Sequence, residues 1–120
     1  MPPPSGADLR VIPEWEVHPR DVAARLSAGE DFLLLDVRQP AEWTTAHLAP
    51  AKLLPLNELA DKADQLVDYF EKPIVVYCHH GGRSMAATRY LRDRGFLNVY
   101  SMAGGIDAYS RLVDGAVRRY

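Results

Sequence analysis

Short apolar runs alternate with helix-like segments along most of this chain. Residues 32–37 (Phe-Leu-Leu-Leu-Asp-Val) and residues 73–77 (Pro-Ile-Val-Val-Tyr) are almost wholly apolar, which is typical of short strands buried on both faces. Strands that alternate with helices form a parallel sheet whose two faces are covered by those helices. The pattern therefore predicts an α/β fold with a central parallel sheet of about five strands and helices on both faces.

The other elements follow from weaker patterns. Pro13 limits the first strand to an edge or irregular position, and Gly29 is expected to end the first helix. The remaining strands are expected at residues 11–17, 51–55 and 98–101. The helices are expected at residues 18–28, 40–46, 56–71 (as one or two pieces), 85–94 and 105–113.

Length and charge exclude several classes of protein. The chain has 120 residues, of which 48% are hydrophobic, and this suits one domain with one core. The formal net charge of −2 gives no reason to expect nucleic acid as a partner, and no apolar run is long enough to cross a membrane. Residues 1–10 lack the features of a secretory signal, so we expect a flexible lead-in there and a single domain at residues 11–120.

The only cysteine, Cys78, follows the apolar run at 73–77 and opens the segment Cys-His-His-Gly-Gly-Arg-Ser, residues 78–84. A thiol held at a helix N-terminus faces unpaired N–H groups and the positive end of the helix dipole, and both favour the nucleophilic thiolate. Successive N–H groups in a glycine-containing turn also form a small anion-binding nest. The segment therefore predicts a reactive sulfur beside a site for an anion.

A structural interpretation of the same segment stays open at this point. A lone cysteine is often a small buried apolar residue, and Gly81 and Gly82 also suit an ordinary strand-to-helix turn. Arg83 favours the functional interpretation, because a cation is disfavoured at the N-terminal end of a helix unless an anion lies nearby. With a single cysteine no internal disulfide can form, and a reducing cytoplasm is the expected location.

Five segments, in order and at plausible spacings, resemble rhodanese-like domains over residues 17–113. Leu35-Asp36-Val37-Arg38 followed by Glu42-Trp43 is similar to the D-V-R-x-x-x-E-[FWY] signature of that family. The other segments that carry the resemblance are residues 46–48 (Ala-His-Leu, where the family usually has Gly-His-Ile), 54–56, 77–84 and 98–109.

The resemblance implies a sulfurtransferase without metal or organic cofactor. In rhodaneses the loop cysteine takes a sulfane sulfur from a donor such as thiosulfate, becomes a persulfide, and passes the sulfur to cyanide or a cellular thiol. Carried over to this sequence, Cys78 is the catalytic residue, and the expected partners are a small anionic donor and a thiol or protein acceptor. The expected substrate-binding residues are His79, His80, Gly81, Gly82, Arg83 and Ser84.

Two alternatives remain beside this function. Cysteine-dependent phosphatases related to this fold have five residues between the cysteine and the arginine, whereas four separate Cys78 from Arg83. A shorter loop makes a tighter cradle, which suits a single sulfur better than a phosphate. The other alternative is a non-catalytic rhodanese-type module that binds a partner, although such modules often lack the cysteine that this chain retains.

Several residues are expected to support the segment at residues 78–84, which we call the active loop. Asp36 either braces the active loop or a neighbouring turn or simply ends its strand, and Arg38 and Glu42, four apart, suit a helical ion pair with a structural role. Ser84 is expected to cap the helix rather than to bond to the persulfide.

The remaining expectations concern the turn before His47 and the end of the sequence. If the residue before His47 needs a positive φ, Ala46 is strained there by about 1 kcal/mol or more. The C-terminal residues 118–120 (Arg-Arg-Tyr) are expected to form a solvated end rather than a docking tail.

Overall fold

The computed structural model describes residues 9–120, so most of the predicted lead-in at residues 1–10 lies outside the described residues. Within the described range, five strands form one wholly parallel sheet in the order β1-β5-β4-β2-β3. The strands are β1 (Glu16–Val17), β2 (Leu33–Asp36), β3 (Lys52–Leu53), β4 (Ile74–Tyr77) and β5 (Val99–Met102). The predicted α/β architecture is confirmed.

Four helices connect consecutive strands, and a fifth follows the last strand. They are α1 (Pro19–Ser27), α2 (Pro40–Thr45), α3 (Leu56–Lys62), α4 (Gly82–Asp93) and α5 (Gly105–Leu112). A 3₁₀ segment, Ala63–Tyr69, continues α3, so the predicted helix at 56–71 consists of two pieces. Helix α4 begins at Gly82 rather than at the predicted Met85, so Arg83 and Ser84 lie in its first turn.

The side chains of the central strands point alternately to the two faces of the sheet. On one face Leu33 and Leu35 of β2 pack in a cluster that includes residues of α3 and α4. On the other face Leu34 packs in a cluster that includes Val22 of α1 and Ile106 of α5. Helices therefore cover both faces, as the apolar runs predicted, and the two clusters bury the sheet between them.

The register of the sheet brings the ends of three strands together. Asp36, the last residue of β2, pairs with Tyr77, the last residue of β4. Val76 of β4 pairs with Ser101 of β5. Because the strands are parallel, their carboxyl ends lie at one edge, which is where open α/β sheets bind ligands. Cys78 follows β4 at this edge.

The turn around residue 46 carries no backbone strain. Ala46 ends α2 with φ −166° and ψ 144°, an extended conformation that any residue adopts. The strain that a positive φ would have imposed on this alanine is therefore absent. None of the helices within residues 9–120 is long and apolar enough to cross a bilayer.

Candidate active site

The Cys78 sulfur is enclosed by backbone donors. Cys78 is 1% exposed, and its Sγ accepts hydrogen bonds from the N–H of Gly81 at 3.1 Å and from the N–H of Ser84 at 3.3 Å. Both donors lie where the loop turns into α4, so the positive end of that helix faces the sulfur. Two backbone N–H groups therefore face the Cys78 sulfur, and its role as a reactive thiolate stays a prediction.

The two loop glycines have different roles. Gly81 precedes α4 with φ +117°, a conformation that favours glycine, and this φ turns its N–H toward the sulfur. Gly82 has no positive φ, and a Cβ built on it would meet nothing within 4 Å. The backbone therefore requires glycine at position 81 and not at position 82.

Ser84 does not cap the helix, contrary to expectation. The helix α4 begins after Gly81 without a side-chain cap, and Ser84 lies within its first turn. Its buried hydroxyl donates to the carbonyl oxygen of Gly81 at 3.1 Å and lies 3.5 Å from the Cys78 Sγ. It also lies 2.7 Å from the hydroxyl of Ser101, which is equally buried. Ser84 therefore reaches the sulfur through its side chain, and Ser101, which the sequence did not single out, supports it from β5.

Helix α5 holds the loop from the other side. The N–H of Ile106 donates to the carbonyl oxygen of Cys78 at 2.9 Å, and the N–H of Asp107 donates to that of His79 at 3.1 Å. These contacts are possible because Gly105, with φ +63°, lies against the loop backbone, where a Cβ would come within 2.5 Å of the Cys78 carbonyl oxygen. The backbone of α5 and of the active loop thus form one unit.

A buried ion pair lies behind the loop. The Asp36 carboxylate accepts from the Arg38 guanidinium at 2.7, 3.0 and 3.1 Å, and both side chains are fully buried. Burial acts to lower the pKa of Arg38, but the hydrogen bonds with Asp36 and Tyr120 outweigh it, so the pKa is raised. Arg38 also donates to the carbonyl oxygen of Ala46 at 2.6 Å. Asp36 therefore braces the turn that follows β2 rather than the active loop itself.

Arg83 is engaged by a carboxylate at the rim of the site. Its Nη1 and Nη2 donate to the two oxygens of Glu42 at 2.6 and 3.0 Å. These hydrogen bonds lower the pKa of Glu42 to about 2. Glu42 therefore pairs with Arg83 and not with Arg38, and the predicted helical pair between residues 38 and 42 is wrong.

The Tyr120 ring lies on the active loop, although the residue is 42% exposed. Its ring stacks on the His79 ring with centroids 4.0 Å apart and planes 9° apart. Its hydroxyl accepts from Arg38 at 2.7 Å and donates to Glu42 at 2.7 Å. Burial raises the pKa of Tyr120 to about 12, so the phenol stays protonated. Residues 118–120 are exposed, as expected, but the contacts of Tyr120 with His79, Arg38 and Glu42 were not predicted.

The two histidines of the loop differ in their surroundings. Burial, followed by the neighbouring His80, lowers the pKa of His79, so this ring is neutral at neutral pH. The side chain of His80 is 68% exposed, with its Nδ1 4.0 Å from the Asp107 carboxylate. That carboxylate is also bound by Arg111 and Arg119, each at 3.0 Å. No group of three or more His, Cys, Asp or Glu side chains in residues 9–120 is placed to hold a metal ion.

Comparison with known proteins relates nearly the whole domain to one family. The family model described as Rhodanese-like domain matches residues 18–112. A thiosulfate sulfurtransferase GlpE from Coxiella burnetii is 35% identical over 90 residues, which are 72% of this chain and 79% of that protein. The rhodanese-like/PpiC domain-containing protein 12 of Arabidopsis thaliana is 39% identical over 93 residues, or 76% of this chain, but the match spans only 31% of that longer protein.

A solved structure is similar in both sequence and fold. The crystal structure of a rhodanese-related protein from Thermoplasma volcanium superposes with a TM-score of 0.72 at 31% identity. The superposition covers 81% of this chain and 91% of that protein.

Proposed function

The chain belongs to the rhodanese-like domain family, and on that basis we propose that it is a sulfurtransferase that carries a sulfane sulfur on Cys78. The observation that supports this most is the position of the Cys78 sulfur, which receives two backbone N–H hydrogen bonds at the carboxyl edge of the sheet. Thiosulfate, which the name of the Coxiella burnetii relative specifies, is the first donor to test.

In the first half-reaction the Cys78 thiolate attacks the outer sulfur of thiosulfate. A new S–S bond forms to Cys78, the S–S bond of thiosulfate breaks, and its electron pair leaves with sulfite. The N–H groups of Gly81 and Ser84 stabilise the Cys78 thiolate before transfer, because they are fixed by the fold and need no reorganisation. After transfer the negative charge lies on the outer sulfur of the persulfide. The hydroxyl oxygen of Ser84 lies 3.5 Å from the Cys78 Sγ, while its proton is donated to the carbonyl oxygen of Gly81.

In the second half-reaction an external nucleophile removes the outer sulfur. Cyanide would leave as thiocyanate, and a thiol acceptor would leave as a persulfide, and either reaction restores the Cys78 thiolate. The sequence holds no second cysteine, so the acceptor must come from outside the chain. Two half-reactions through a covalent intermediate give ping-pong kinetics, and a thiol that cycles in this way fits a reducing compartment such as the cytoplasm.

The test is the intact mass of the protein after incubation with thiosulfate, with and without subsequent cyanide. We expect the mass to increase by one sulfur atom, cyanide to remove that sulfur as thiocyanate, and Cys78→Ser to show no increase. Because Cys78 is the only cysteine, the added sulfur can be assigned to Cys78 without peptide mapping. A protein with a reduced, titratable thiol that gains no sulfur from thiosulfate or from a persulfide donor would contradict the proposal and leave the partner-binding module as the better interpretation.

A further inference from the structure

The positive charge of Arg83 is not free to meet an incoming anion. Both terminal nitrogens of the guanidinium donate to the Glu42 carboxylate. The Arg83 side chain is 37% exposed and the Glu42 side chain 21%, so the pair lies at the solvent-facing rim of the site. An anionic substrate that approaches Arg83 therefore also approaches the negative charge of Glu42.

Tyr120 fixes Glu42 in this position. Its hydroxyl donates to the same carboxylate and accepts from Arg38. Because Arg38 is itself buried and paired with Asp36, the phenol is anchored to a rigid part of the fold. Stacking on His79 holds its ring over the loop. The Arg83 guanidinium and the Tyr120 hydroxyl thus hold the Glu42 carboxylate from two sides.

We propose that Glu42 and Tyr120 make this site select sulfur donors by charge, favouring donors with one negative charge over dianions such as thiosulfate. The inference rests on the proposed sulfurtransferase function. A carboxylate beside the binding arginine repels each additional negative charge on the donor, and the repulsion is strongest at a partly desolvated rim. Small persulfides, which present a single negative charge at the reacting end, are the donor class that fits.

Two donors that differ by one charge allow a direct test. Thiosulfate is a dianion, whereas methanethiosulfonate, CH3SO2–S⁻, is a monoanion with the same kind of sulfane sulfur. With either donor, the Cys78 thiolate forms a bond to the outer sulfur and the donor S–S bond breaks. The electron pair then leaves with sulfite or with methanesulfinate. Charge and atoms balance in both reactions. The donors therefore differ mainly in the amount of negative charge that Glu42 repels.

The experiment measures kcat/KM for both donors at constant ionic strength, with cyanide as acceptor, in the wild type, Glu42→Gln and Tyr120→Phe. We expect kcat/KM for thiosulfate to rise about tenfold in Glu42→Gln and about threefold in Tyr120→Phe, chiefly through KM. Because Coulomb repulsion is proportional to the charge of the donor, the corresponding rises for methanethiosulfonate should be only about threefold and about twofold. Tyr120→Phe keeps the ring on His79 and removes only the hydroxyl. Glu58→Gln, which removes a carboxylate paired with Lys62 away from the site, is the matched control and should leave the donor ratio unchanged.

A second measurement tests charge selection without any sulfur transfer. Sulfate and methanesulfonate are unreactive anions with two charges and one charge, and each can protect Cys78 from alkylation by neutral iodoacetamide. We expect half-protection by sulfate at an about tenfold lower concentration in Glu42→Gln than in the wild type, and half-protection by methanesulfonate at an about threefold lower concentration. Equal changes for both anions, or no change for sulfate, would overturn the inference.

The two proposals fail in different ways. If Cys78 gains sulfur from both donors but the donor ratio is the same in all variants, charge selection is wrong and the sulfurtransferase stands. If no donor loads Cys78, the sulfurtransferase is wrong, and the alkylation measurement alone decides whether Glu42 and Tyr120 exclude dianions from this loop.

Discussion

The contact between Gly105 and the active loop makes one substitution unusually informative. In Gly105→Ala a methyl group must enter a space where the carbonyl oxygens of Cys78 and His79 already lie within 2.5 Å of the new Cβ position. Both neighbours are backbone atoms, so neither can rotate away as a flexible side chain would. The backbone at this position also has φ +63°, which a residue with a Cβ adopts only under strain.

The expected loss of stability combines these two effects. A left-handed conformation costs a non-glycine residue about 1–2 kcal/mol, and overpacking in a closely packed region costs about 1–3 kcal/mol. We therefore expect Gly105→Ala to lower the free energy of unfolding by about 2–5 kcal/mol, which for a domain of this size lowers the Tm by roughly 10 °C or more. Where the protein still folds, the displaced loop should form the persulfide at least roughly tenfold more slowly.

Substitutions at two other glycines distinguish the cost of a positive φ from the cost of a steric clash. Gly81 has φ +117°, but a new Cβ would lie an ordinary 3.6 Å from its nearest neighbour, so Gly81→Ala should lose only about 1–2 kcal/mol. Gly82 has neither a positive φ nor a close neighbour, so Gly82→Ala should gain about 0.5 kcal/mol from the helix that it begins. Urea unfolding of the three variants tests this order. Gly105→Ala within about 0.5 kcal/mol of the wild type would refute the reasoning.

Three further predictions concern the polar groups of the site. Asp36→Asn leaves the Arg38 charge buried without its partner, so we expect a loss of about 3–5 kcal/mol in the free energy of unfolding by urea. Ser101→Ala removes a buried hydroxyl partner of Ser84, and we expect slower persulfide formation in stopped-flow assays together with a loss of about 1 kcal/mol. The lowered pKa of Glu42 means that its pairing stabilises the fold fully above the usual carboxyl range and less as pH falls toward about 2. The stability difference between the wild type and Glu42→Gln should therefore shrink over that interval.

The first two of these predictions have matched controls. Asp31→Asn breaks an exposed pair with Lys72 and should leave the free energy of unfolding almost unchanged, because solvent screens such a pair. Ser110→Ala removes another buried hydroxyl, which donates to the carbonyl oxygen of Val117, and should lose stability without slowing sulfur transfer. If the controls behave like the site variants, the effects are general and not due to the site.

Patterns that depend on neighbours along the chain predicted much of the fold. A strand buried on both faces needs an unbroken apolar run, and for this reason residues 32–37 and 73–77 identified β2 and β4. The edge strands β1 and β3 have two residues each, shorter than the predicted ranges 11–17 and 51–55, because a strand paired on one side needs little apolar alternation. The position of Cys78 at the end of β4 followed from the same pattern.

The partners of the charged residues did not follow from local spacing. Arg38 and Glu42 are four apart, but such a pair forms only within one helix, and Arg38 precedes the start of α2 at Pro40. Glu42 instead meets Arg83 and Tyr120, which are 41 and 78 residues away in the sequence. Only the order of the strands brings these side chains together, and no spacing within the sequence encodes that order.

The position of β4 also determines when the segment that carries Cys78 can unfold. This strand is paired on both sides, with β2 and with β5, and the side chains of Ile74 to Tyr77 are fully buried. Amide hydrogens in such a strand exchange with solvent only when the whole domain opens. The loop that starts at Cys78 is joined to this slowest-exchanging segment, and helix α5 ties its first carbonyl oxygens in place. We therefore expect partial opening at the edges of the sheet to leave the loop in place, and the loop to lose its geometry mainly when the domain unfolds.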